Sequence, residues 1–193
     1  MSDEPVRTRL RLAEDAPDGT AGEVAFQEYF VKLRHAVAVA EVRFEHAETA
    51  HPAPGVVEAI GEAEVIVVAP SNPVVSIGPI LAVPGIAAAL RARRSHVVAV
   101  SPIVAGAALK GPADRLLREL GGEATVVGVA RWHAAHAATL VVDGADAALA
   151  PAVEAAGMRC VVADTVMRTP EIAAELARAV LAAGRRAAGE GPA

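Results

Sequence analysis

The chain has 193 residues, a formal net charge of −5 and 53% hydrophobic residues, yet only three Phe, one Tyr and one Trp. That length supports one domain with a real core, here aliphatic. The acidic balance without a basic stripe excludes a general nucleic-acid binder, and no apolar run approaches the roughly 20 residues needed to span a bilayer.

Residues 1–35 are polar, with a turn at Pro17-Asp18-Gly19, and Phe26, Tyr29 and Phe30 suggest a short amphipathic helix that docks on something. Val37 to Phe44 alternates as a strand, and a short helix after Pro54 ends near Gly61. Glu64–Ala69 is a buried strand, followed by a proline-rich loop and helical stretches through Ile80 and over Pro84–Arg93. A second buried strand covers His96–Val100, and a helix runs from Pro112 to Leu120, closed by Gly121 and Gly122. Residues 124–136 are expected to be helical. Thr139–Val142 is a third strand, Ala145–Ala156 a helix and Met158–Ala163 a fourth strand. A last helix, capped by Thr169, covers Pro170–Ala183. Residues 1–184 therefore read as one domain and 185–193 as a disordered tail.

Aliphatic strands alternating with helices predict an α/β fold: a three-layer, Rossmann-like, mostly parallel sheet with helices on both faces. Ligands in such folds gather at the carboxyl ends of the strands. Those ends lead into Pro70-Ser71-Asn72-Pro73, Ser101-Pro102, Asp143-Gly144 and Asp164-Thr165.

Pro70 to Gly85 holds four prolines, which restrict the backbone, together with Ser71, Asn72 and Ser76. Ser76 could cap a helix from Ile77 and leave free N–H groups as an anion site, or be an ordinary cap. Lys110, before Gly111-Pro112, could hold a phosphate as a point charge or be solvated. Asp164 could orient a ligand hydroxyl or bond its own turn.

Other features read as structural. Cys160 sits in an apolar run as a buried small hydrophobe and excludes an internal disulfide. Arg91, Arg93 and Arg94 read as a solvated helix end. His133 and His136 share a helix face, but no further ligand completes a zinc site, so they read as a solvated pair. Charges near Met1 replace the apolar core of a signal peptide. The chain is expected to be soluble and cytoplasmic, without membrane or nucleic-acid partners.

Ser71-Asn72-Pro73-Val74-Val75-Ser76-Ile77-Gly78-Pro79-Ile80-Leu81 resembles the signature of the 2-phospho-lactate transferases. The resemblance continues through Phe26 to Val31, Pro52 to Gly55, Ser101 to Val104, Lys110 to Arg115 and Ala163 to Thr169, in the family's order. It implies an enzyme of coenzyme F-420 biosynthesis. A phospholactyl or phosphoenolpyruvyl group passes from a lactyl- or enolpyruvyl-diphospho-guanosine donor to the deazaflavin precursor FO. It also implies Mg2+ and leaves room for a homodimer, with the Phe26-Tyr29-Phe30 cluster at an interface or in the core.

Under that resemblance Ser71, Asn72, Pro73, Ser76, Ser101, Lys110, Asp164 and Thr165 are the expected substrate-binding residues. The catalytic residues are not identified. No metal ligand is assigned in this chain. Met1 to Thr8 resembles an internal family segment, so the chain is expected to be a C-terminal portion lacking the family's N-terminal Gly-rich unit and its acidic magnesium ligands. Alone it is then expected to be inactive. Two positions depart from the family: Trp132 to His136 replaces a stretch usually carrying Tyr and Asp, and Ala105 stands where glycine is usual, which points to altered pocket contacts near that helix. Two other readings stay open. One is a nucleotide-sugar-binding regulatory protein of a sister group sharing the proline-serine loop, against which the Lys110 and Asp164 segments argue. The other is a non-catalytic remnant.

Overall fold

The computed structural model describes residues 1–189. Its first part is an antiparallel sheet of which only the third strand, expected over Val37 to Phe44, was legible in the sequence. Strands β1 (Arg7–Leu12), β2 (Glu23–Ala25) and β3 (Val39–Glu45) pair antiparallel in the order β2-β1-β3. Leu10 and Leu12 of β1 alternate inward, while Arg9 and Arg11 face out to Glu45 and Glu41 across the ladder, each at 3.0 Å. The charged outer face masks the period-2 pattern of a strand.

The second part is the expected α/β unit. Strands β4 (Ile66–Val68), β5 (Val97–Val100), β8 (Thr139–Asp143) and β9 (Arg159–Ala163) form a parallel sheet in chain order. A two-stranded hairpin, β6 (Ile103–Val104) and β7 (Ala107–Ala108), follows β5. The connections run through helices α1 (Val56–Glu62), α2 (Gly78–Leu81), α3 (Ile86–Ala92), α4 (Ala113–Glu119), α5 (Val126–His133) and α6 (Ala150–Ala155).

β-Branched residues fill both faces of the central strands, as a doubly covered sheet requires. Val97, Ala99, Leu140 and Val142 meet Ile86 and Leu90 of α3, Val126 and Val129 of α5, and Val153 of α6. On the other face Val98, Val100 and Val141 meet Leu176 and Val180 of α7 (Pro170–Gly189). The α4 helix joins the two sheets. Its Leu116 enters the core of β1–β3, and Arg115 bonds the hydroxyl of Tyr29 and the carbonyl of Val37.

Several expectations change. The last helix does not stop at Ala183; it runs to Gly189, because Ala183, Gly184 and Ala187 are buried against the sheet. The tail expected over 185–193 is thus helical as far as Gly189, and 190–193 lie outside the described residues. Arg93 and Arg94 are not a solvated end. Arg93 bonds the carbonyl of Ala63, and Arg94 bonds those of Ala134 and Gly157, at 2.5–2.7 Å, tying loops at the sheet's amino end. Cys160 is half-buried, and burial raises its thiol pKa, with Glu154 adding to the rise. Among the described residues no single helix is long and apolar enough to cross a membrane.

Candidate functional site

The carboxyl ends of β4, β5 and β9 open on one cavity of about 770 Å3. Ser71, Asn72, Ser76, Ser101, Lys110 and Thr165 all line it. The structure thus gathers six of the eight expected residues from segments up to about 90 positions apart. Pro73 and Asp164 are not in the lining. Pro73 is buried as the first residue of a wide helical turn, Pro73–Ile77. Asp164 is exposed, and its carboxylate accepts the N–H of Val166 at 3.1 Å, closing its own turn.

The proline loop is built around Asn72. Its side-chain oxygen accepts the N–H groups of Val74 and Val75 at 2.9 and 3.3 Å. Its backbone carbonyl accepts those of Ser76 and Ile77, both at 3.1 Å. The second of these bonds spans five residues and marks a π-type turn. The cap is therefore Asn72, not Ser76, and the expected free N–H groups at Ile77 are already paired. Ser76 instead exposes its hydroxyl to the cavity. Gly78 closes the turn where Phe44 of β3 approaches; a Cβ there would lie 2.7 Å from its ring.

With its oxygen spent on the cap, Asn72 has one group left. The side-chain nitrogen is buried and has no hydrogen-bond partner. A buried unpaired donor costs on the order of 1–3 kcal/mol, which a ligand acceptor would recover. Lys110 is exposed on the lining and makes no ion pair among the described residues. Among the described residues it is the one charged side chain in the lining. The site therefore presents donors and a cation, the complement of an anionic ligand.

Two polar residues serve the frame. The Ser101 hydroxyl accepts from the N–H of Ile103 at 3.1 Å and donates to its carbonyl at 2.9 Å. Thr165 gives both its N–H and its hydroxyl to Asp143. Burial pushes the Asp143 carboxyl up, but hydrogen bonds from Ala145 and Thr165 and the nearby Arg168 charge outweigh it and hold it below its ordinary value.

The rest of the lining is largely apolar and was missed in the sequence. Phe26 and Phe30 stack with ring centroids 5.5 Å apart, and Leu109 and Met167 are more than half exposed beside them. The aromatic cluster splits, because Tyr29 turns into the core as Phe26 and Phe30 reach the cavity. Exposed apolar side chains at a strand-end loop were the available signal.

The departures from the family pattern fall elsewhere. Trp132 lines a separate groove with Phe44, Val74 and Leu120, so the expected change in pocket contacts does not reach the main cavity. His133 and His136 are buried, not solvated, with Nδ1 of one 3.0 Å from Nε2 of the other. Ala105 takes a left-handed φ of 50° in the tip of the β6–β7 hairpin, which explains why glycine suits that position. No group of three or more His, Cys, Asp or Glu is placed for a metal among the described residues, and the cavity wall carries no carboxylate. These side chains alone do not fit a magnesium ion.

The fold resembles that of protein BH3568 from Bacillus halodurans, solved twice. The TM-scores are 0.59 and 0.55 at 16% and 18% identity, covering 93% of this chain and about 60% of that one. In sequence the chain is 47% identical over 183 residues to a phosphoenolpyruvate transferase of Kitasatospora aureofaciens. It is 45% identical to that of Streptomyces griseus and 39% to that of Mycolicibacterium smegmatis. These alignments cover 93–94% of this chain and 55–56% of each relative, so the chain spans about half the length of the curated relatives it matches. The family model described as 2-phospho-L-lactate transferase CofD matches residues 1–180. The chain therefore belongs to the 2-phospho-L-lactate transferase family, as a portion consistent with its C-terminal part.

Proposed function

We propose that the cavity at the ends of β4, β5 and β9 binds the substrates of a transferase of coenzyme F-420 biosynthesis, with an enolpyruvyl-diphospho-guanosine donor and the deazaflavin FO as acceptor. The observation that carries this reading is the mixed lining of the cavity, polar in part and apolar in part. Lys110, the free Asn72 nitrogen and the Ser71 and Ser76 hydroxyls suit a diphosphate, and the stacked Phe26 and Phe30 wall suits a planar ring. The names of the relatives favour the enolpyruvyl over the lactyl donor. Transfer of this kind rests mainly on positioning and charge neutralisation. The residues here supply positioning and one positive charge. Magnesium enters the proposal as an ion held mainly by groups outside this chain.

The test is calorimetric titration of the chain with each donor and with FO, followed by an assay for GMP release. Saturable binding of the enolpyruvyl donor, tighter than of the lactyl donor, supports the reading. Absence of binding by both donors and by FO overturns it.

A further inference from the structure

Four sulfur atoms in this chain can be oxidised, those of three methionines and one cysteine. Their surroundings differ. Met158 is 2% exposed and packs in the main core. Cys160 is half-buried, and its raised thiol pKa leaves little of the thiolate that peroxides attack. Met1 is 43% exposed and lies outside the cavity lining. Met167 is 51% exposed and lines the cavity. A thioether needs no deprotonation, so exposure decides which methionine reacts.

The segment that carries Met167 is fixed on both sides. Thr165 is pinned to Asp143, and the hydroxyl of Thr169 accepts the N–H of Ile172 at the start of α7. Between them the Arg168 N–H bonds the carbonyl of Val166 at 2.7 Å, a γ-turn with Met167 at its apex. The turn holds an apolar side chain at the cavity, in the lining shared with Phe26, Phe30 and Leu109. Methionine is the flexible, polarisable member of that set. Oxidation to the sulfoxide makes it polar.

We infer that Met167 is a peroxide-sensitive modification site whose oxidation weakens the binding of a planar ring in the cavity. One peroxide oxygen bonds to the sulfur lone pair as the O–O bond breaks. The thioether is oxidised by two electrons, and the other oxygen leaves as water. A dithiol acting through a methionine sulfoxide reductase reverses the step, removing the oxygen as water and ending as a disulfide. Selective oxidation stands on the exposure and placement of Met167 alone; the loss of ring binding rests on the proposed function.

The test exposes the folded chain to hydrogen peroxide and follows each methionine by peptide mass spectrometry. Met167 should oxidise at least about tenfold faster than Met158, and saturating FO should slow it without changing Met1. Dosing stops while Met158 is still reduced. The calorimetric affinity for FO should then be lower by about tenfold or more, with the melting temperature within a few degrees. It should recover after treatment with the reductase and dithiothreitol. Met167→Leu should bind FO equally before and after peroxide. Four results overturn the inference and leave the proposed function standing: Met167 oxidised no faster than Met158, FO affinity unchanged by that oxidation, a loss that the reductase does not restore, or the same loss in Met167→Leu. An untreated chain that does not bind FO overturns the inference together with the ring-binding part of the proposed function.

Discussion

Asp143, at the end of β8, accepts both the backbone N–H and the hydroxyl of Thr165 on one carboxylate oxygen, at 3.0 and 3.1 Å. The pair fixes the segment after β9 against its neighbour strand and so sets one wall of the cavity. Asp143→Ala leaves two donors of the buried Thr165 unpaired. A loss of about 1–3 kcal/mol in unfolding free energy is expected, read by urea denaturation. The Asp143 pKa is held low in the folded chain, so its contribution is complete above the unfolded value of about 3.9 and is lost as pH falls through the folded value. An Asp143→Ala protein as stable as the parent at pH 7 would contradict this role.

The buried pair His133 and His136 predicts a second pH effect. Burial, and then the charge of His136, lowers the His133 pKa to about 3; burial, and then Arg91, lowers that of His136. Above the unfolded value of about 6.5 neither state holds the extra proton. Below it the unfolded chain takes up protons that the folded chain refuses. Stability should therefore fall as pH drops from about 6.5 toward 3, by at most about 1.4 kcal/mol per pH unit for His133. Denaturation curves at pH 8, 6 and 5 check the slope, and His133→Gln should flatten it. A flat parent profile would show that the imidazoles titrate normally.

Ala105 sits at φ 50° with its N–H bonded to Asp146 at 2.9 Å. Left-handed backbone costs a residue with a Cβ about 1–2 kcal/mol, and glycine gives part of that back as unfolded-state entropy. Ala105→Gly should raise stability by up to about 1 kcal/mol, measured as a higher denaturation midpoint. Because Ala105 lies outside the cavity lining, ligand affinity should not move. A lower midpoint would mean that the hairpin tip is not strained.

Much of this architecture was legible because the parallel strands are aliphatic runs whose ends carry polar turns. The segments containing Ser71, Ser101, Lys110 and Thr165 could be nominated without coordinates. Strand β1 was hidden because its arginines satisfy the outer face of an antiparallel sheet, so composition reads as polar where period reads as strand. Asn72 was nominated as a ligand group while Ser76 was given the cap. Which of two nearby polar residues caps a turn depends on where the helix begins, and the wide π-type turn shifted that start by four residues. The apolar part of the lining, Phe26, Phe30, Leu109 and Met167, could not be assembled from spacing, since it joins one short helical segment to two separate loops.

The central claim is that Asn72 divides its side chain, the oxygen capping the Pro73–Ile77 turn and the nitrogen serving a ligand. Serine caps as well as asparagine but lacks that donor. The most direct measurement is calorimetric affinity of Asn72→Ser for the enolpyruvyl donor, with its melting temperature beside it and Asn72→Ala as the variant that loses both functions. The expected result is a melting temperature within a few degrees of the parent for Asn72→Ser, with affinity reduced by roughly ten- to a hundredfold, the loss of about 1.5–3 kcal/mol for a hydrogen bond to a charged group. A folded Asn72→Ser protein that binds the donor as tightly as the parent would contradict it.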